Sequence, residues 1–122
     1  MSLAAGIAVA LVALLHIWFM LLEMVLWDKP FGLRTFGMTP EKAAATKPLA
    51  MNQGLYNGFI AAGLLWSFSA GQGVQIFFLA CVIVAGVFGA LTASRKILWV
   101  QALPGAIALA LVLLRPGALP GA

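Results

Sequence analysis

LAAGIAVALVALLHIWFMLLEMVLW, residues 3–27, decides the fold. Twenty-five positions carry only two ionisable side chains, His16 and Glu23. Wound as a helix at 1.5 Å per residue, the stretch reaches about 37 Å, enough to cross a hydrocarbon layer of about 30 Å. No basic residue precedes it, it runs long for a secretion signal, and it ends in Glu23–Trp27 rather than in small residues. It is therefore expected to be a retained span.

The rest of the chain repeats the pattern. Apolar runs at about 49–69, 74–93 and 97–114 read as three further spans of one membrane domain covering residues 1–122. The breaks between them are Asp28–Gly32, Ala70–Gly73 and Ser94–Lys96. Within the loop 28–48, Thr39-Pro40-Glu41 supplies an N-cap, a first-turn proline and an acid near a helix N-terminus, so a short amphipathic surface helix is expected at about Pro40–Thr46. Pro48 is expected to interrupt or kink the chain before the second span, and Pro104-Gly105 to kink the fourth. The expected fold is an all-α integral membrane protein, a four-transmembrane-helix bundle.

Composition agrees. Of 122 residues, 64% are hydrophobic and 8% charged, with a mean hydropathy of +1.10. A water-facing domain carries about 25% charged residues, so this surface needs lipid. The net charge of +4 marks membrane borders and does not point to nucleic acid. Lys29, Arg34, Lys42, Lys47, Arg95 and Lys96 fall in the first and third loops, and Arg115 alone on the other side. Six against one predicts those loops in the cytoplasm and both termini outside it. Trp27 and Trp99 then mark the cytoplasmic border and Trp66 lies towards the outer one. Cys81, the single cysteine, reads as inert packing in an apolar run.

Ionisable and amide side chains in a span are costly against lipid and are expected to turn inward. His16 and Glu23, seven residues apart, share a stripe with Met20 and Trp27, about 10 Å apart along the axis. Asn52, Gln53, Tyr56 and Asn57 occupy an arc of about 140° at the start of the second span. Gln101 and Thr92 enter their spans at a similar depth. One polar layer under the cytoplasmic surface is expected, with Glu23 and Tyr56 as candidate acid–base groups and His16, Asn52, Gln53, Asn57 and Gln101 as ligand-binding groups. Taken one at a time, the amides, His16 and Tyr56 read first as groups that join helices, whereas Glu23, a carboxyl near the membrane border, points to proton or cation coupling. Gly54 and Gly58 form GxxxG, and Ala85, Gly86, Gly89, Ala90 and Ala93 a small-residue stripe; both permit close helix approach, and a homo-oligomer is expected. His16 and Glu23 are spaced too widely to share a metal ion, and no metal site is expected. The cofactor is unassigned, with a haem ligated by His16 left open.

The runs LLHIWFMLLEMVLW (14–27), FG-x-TPE (36–41) and ATKPLAMNQGLYNGFIAAGLLW (45–66) resemble a bacterial family of small four-helix membrane proteins known as a domain of unknown function, number thirteen-oh-four. The resemblance implies a multi-pass protein of the bacterial inner membrane and supplies no activity. A looser likeness is to the membrane-associated eicosanoid and glutathione metabolism superfamily. Lys47 and Asn52 occupy places comparable to its second-helix residues, but Tyr56 or Asn57 stands where an acid is expected, and its arginine is missing. Glu23 is similar in type to the first-span glutamate of small multidrug-resistance transporters.

Three functions fit these residues. The first is a site that binds, or also converts, a small lipophilic or amphipathic molecule. The second is a proton-coupled transporter of small or cationic solutes that uses Glu23. The third is a structural membrane subunit without catalysis.

Overall fold

In the computed structural model, residues 2–114 are described and fold into helices joined by short turns, with no strand among them. Five α-helices follow one another: α1 (Leu3–Met24), α2 (Pro30–Phe36), α3 (Pro40–Ala70), α4 (Gln72–Thr92) and α5 (Leu103–Leu114). A π-helical turn, Leu98–Ala102, leads directly into α5. Arg115, the basic residue expected on the outer side, lies outside the described residues.

Local chemistry sets the ends. Ser2 Oγ accepts the N–H of Ala5 at 3.1 Å and caps α1. Met24 closes α1 as the N–H groups of Val25 and Leu26 both turn back to the carbonyl of Leu21. Pro30, expected only to break the chain, starts α2, since the fixed φ of proline suits a first helical turn. Gly37 ends α2 at φ +62°, the left-handed conformation that glycine adopts without strain. Thr39 Oγ1 then accepts the N–H of Lys42 at 3.1 Å and caps α3. Gly71, at φ +113°, makes the turn between α3 and α4.

Two expectations are corrected. The helix that starts at Pro40 does not stop near Thr46; it runs through Pro48 to Ala70 as one 31-residue helix. Proline removes a single N–H, and the flanking residues are held by other bonds: the Thr46 hydroxyl donates to the carbonyl of Lys42 at 2.8 Å, and Lys47 pairs with Asp28 at 2.9 Å. One lost backbone bond is tolerated where neighbours fix the segment. The short helix in the first loop is α2, ten residues earlier than expected. The irregularity expected at Pro104-Gly105 lies one turn upstream, where the Leu103 N–H reaches the Leu98 carbonyl five residues back. Pro104 donates nothing, so regular bonding fails in the turn before it.

The chain divides into two compact units, and α1 and α3 each contribute to both. Among the described residues, the first joins 2–13 to 62–114. Here α4 and the π-helical turn approach closely: a Cβ on Gly86 would lie 2.6 Å from the backbone nitrogen of Ala102. The second unit is Leu14–Ala61. It holds the second half of α1, α2 and the first half of α3.

The buried residues are small or medium, Ala5, Val9, Ala61, Leu64, Leu79, Val82 and Ala108 among them, while large apolar side chains point outward. Leu3, Leu91 and Leu114 are about four-fifths exposed, and Trp99, Phe77 and Phe88 about two-thirds. Helices α1 and α4, of 22 and 21 residues, are long and apolar enough to cross a membrane; the apolar segment Leu98–Leu114 is shorter.

Candidate functional site

The second unit is built around a face of small residues on α3. Ala43, Ala50, Gly54, Asn57 and Ala61 are buried and follow one another at spacings of seven, four, three and four, a single helical face. This face meets α1. A Cβ on Gly54 would stand 2.5 Å from Met24 Cγ and 3.1 Å from Glu23 Cβ, and one on Gly58 2.8 Å from Met20 Sδ. The GxxxG pair is thus used within the chain, where it brings α3 close enough for side chains of α1 to reach it.

At that approach the Asn57 amide, 8% exposed, donates from Nδ2 to Glu23 Oε1. One amide meets only part of the accepting capacity of a carboxylate. The other close neighbours, Met20 and Met24, are soft and apolar. The arrangement offers a partly buried carboxyl, oriented by one amide, beside two flexible thioethers that can repack around a guest.

A second set of contacts closes one end of the unit. The Trp27 indole N–H donates to Thr46 Oγ1 at 3.1 Å, and Lys47 Nζ lies 2.9 Å from Asp28 Oδ2. The hydrogen bond from Lys47 holds the Asp28 carboxyl below the usual aspartate range. Phe36 of α2 packs on Trp27 with centroids 4.8 Å apart, and Phe31 on Trp18 at 5.9 Å. A Cβ on Gly32 would run into the carbonyls of Leu26 and Trp27, so α2 lies directly on the end of α1.

Of the seven residues singled out in the sequence, the structure brings two together, Glu23 and Asn57. His16 is fully buried, edge-on to Phe19 at 5.3 Å and two turns along α1 from Glu23. The expectation that all the polar groups turn inward is corrected for three of them. Asn52 and Gln53 are exposed, and Tyr56 is 56% exposed with its ring edge-on to Phe59 at 5.7 Å. An arc of 140° cannot fit a contact face that closes on glycine, so only its Asn57 edge enters. Gln101 is half-buried on the π-helical turn of the other unit, and Thr92 donates to the carbonyl of Phe88 in its own helix. Among the described residues no three His, Cys, Asp or Glu side chains group to hold a metal ion.

Sequence reasoning missed a polar cluster in the first unit. Ser67, Gln72 and Gln75 are all at most 3% exposed. Gln75 Nε2 donates to Ser67 Oγ at 3.2 Å, Gln72 Nε2 to the carbonyl of Val112 at 3.0 Å, and Ser67 to the carbonyl of Leu64. The available signal was two glutamines three apart, just ahead of an apolar helix. Assigning Gln72 to a turn hid it.

The model of a family described as "Protein of unknown function (DUF1304)" matches residues 10–113, a range that holds every residue discussed as a site. The uncharacterized protein YpaA of Lactococcus lactis subsp. lactis (strain IL1403) is 32% identical over 106 residues, which cover 83% of this chain and 89% of that protein. No solved structure matches. These relatives lend no support to the likeness with the eicosanoid and glutathione superfamily.

Proposed function

The chain belongs to the DUF1304 family, and on that premise we propose that it is a four-span inner-membrane protein that binds a small amphipathic molecule at Glu23 and Asn57, near the cytoplasmic face. The spans are α1, α3 from about Leu49, α4, and Leu98–Leu114, with both termini outside. Two features support this placement: large apolar side chains cover the outside of the helices, and basic residues gather in the first and third loops.

The observation that carries the binding reading is the hydrogen bond from buried Asn57 to Glu23. An ionisable group within a span is costly unless it is paired or used, and Glu23 has one donor for two oxygens. A guest with a cationic or hydrogen-bond-donating head would complete the carboxylate, while Met20 and Met24 receive its apolar body. Asn57 and the two thioethers add no second acid–base group beside Glu23, and the site is assigned binding. Tyr56 takes no part from its exposed face of α3.

The test uses tetraphenylphosphonium, a lipophilic cation, with the purified protein in lipid nanodiscs. Binding by equilibrium dialysis is expected in the wild type and at least tenfold weaker in Glu23→Gln, a substitution that keeps shape and hydrogen bonding. Equal binding by both proteins would overturn the reading and leave the pair as a helix–helix bond.

A further inference from the structure

The outer face of α3 carries polar groups, Asn52 and the Tyr56 hydroxyl, that find no hydrogen-bond partner among the described residues. Leu49, Asn52, Tyr56 and Phe59 are all exposed, Leu49 by 74%, Tyr56 by 56% and Phe59 by 54%. Their spacings of three, four and three form one seam, the repeat by which two helices pack along each other. Gln53 flanks it. No charged residue occurs from Pro48 to Ala70. Counted from Lys47, Asn52 lies about 7 Å and Tyr56 about 13 Å further along the helix. At that depth acyl chains supply no hydrogen-bond partner, and an amide or hydroxyl left there is costly. The GxxxG pair, the usual suspect for self-association, is already occupied by Met20, Met24 and Glu23 on the opposite face.

We propose that a second copy of this chain docks along this seam, with Asn52 meeting Asn52 and Tyr56 meeting Tyr56 about a two-fold axis normal to the membrane. The occupant follows from the chemistry. Copies inserted in the same direction hold each residue at the same depth, so identical side chains meet without adjustment. A primary amide and a phenol each donate and accept, so each satisfies its own copy. An asparagine within an otherwise apolar seam also fixes register and the number of helices. Leu49 and Phe59 close the seam above and below. This surface relies on the membrane placement proposed above and not on a ligand at Glu23.

Cysteine cross-linking in proteoliposomes, in a Cys81→Ser background, tests the pairing. Asn52→Cys and Phe59→Cys are expected to form disulfide-linked dimers on mild oxidation. Met51→Cys, also exposed and 100° away from Asn52 around α3, is expected to stay monomeric under the same conditions. Cross-linking of Met51→Cys as readily as Asn52→Cys, or none at Asn52→Cys, would overturn the seam. As a second measurement, sedimentation in detergent should show wild-type dimers that weaken about tenfold in Asn52→Leu combined with Tyr56→Phe. Monomeric wild type, or equal association of the two proteins, would also refute it. Protein that fails to float with the vesicles would remove the membrane placement and this proposal together.

Discussion

Gly54 shows how much one missing Cβ can do. The glycine lets α3 approach α1, and the approach lets Asn57 reach Glu23. A methyl at position 54 meets Met24, which can move, but also Glu23 Cβ and the Met20 carbonyl, which cannot move far. Gly54→Ala is expected to cost about 1–3 kcal/mol and to weaken binding at Glu23 in parallel. Gly73→Ala is the matched control: nothing lies within 4 Å of a Cβ there, and alanine favours the helix it joins. Thermal unfolding of the two variants in one detergent checks the contrast. Asp28 behaves differently. Its pKa is lowered from the ordinary 3.8 by the bond from Lys47, so the contribution of the pair is present above that value and lost as pH falls through the lowered one. Because the pair is partly exposed, Asp28→Asn should barely change the melting temperature at neutral pH. What little it removes should disappear as pH falls through the lowered pKa. An unfolding series from pH 2 to 7 reads both.

At the scale of the element, the sequence revealed where helices lie better than which faces they bury. The 25-residue apolar run of α1 and the Thr39-Pro40 start of α3 were legible because length and capping are local properties. Continuity through Pro48 was not, since it depends on Thr46, Lys47, Trp27 and Asp28, which meet only once α2 has folded back. Likewise, the polar arc of α3 was visible as an arc, but its division into an inner Asn57 and an outer Asn52 and Tyr56 is set by Ala50, Gly54 and Ala61, whose small size matters only against a partner helix. The buried glutamines escaped for a similar reason: Gln72 lies beside a glycine turn, and its acceptor is 40 residues away. Those contacts join α4 to α3 and α5. Gln72→Leu and Gln75→Leu are each expected to lower stability by about 1 kcal/mol, the usual net worth of a hydrogen bond. Hydrogen exchange should show the loss first in the last turns of α5 for Gln72→Leu and at the end of α3 for Gln75→Leu. Equal loss across both helices for either variant would mean that the amides act as bulk packing rather than as directed bonds.

For the whole molecule, the direction from which a guest reaches Glu23 depends on which side of the membrane each loop occupies. Helices α1 and α4 have the length to cross, whereas Leu98–Leu114, with 17 residues, spans about 26 Å and reaches across only if the bilayer thins or flanking residues reach for the border. Arg95 and Lys96 precede this segment, and their long side chains suit that task. Under the four crossings proposed above, Glu41 and Ser94 lie on the cytoplasmic side and Gly73 outside. Single cysteines at these positions, in a Cys81→Ser background, should separate cleanly with a membrane-impermeant maleimide on intact spheroplasts. Gly73→Cys should react at once, and Glu41→Cys and Ser94→Cys only after permeabilisation. Labelling of Ser94→Cys together with Gly73→Cys would mean that α4 does not cross. Labelling of Glu41→Cys and Ser94→Cys but not of Gly73→Cys would invert the orientation and move the Glu23–Asn57 pair to the outer leaflet, where a guest would arrive from outside the cell.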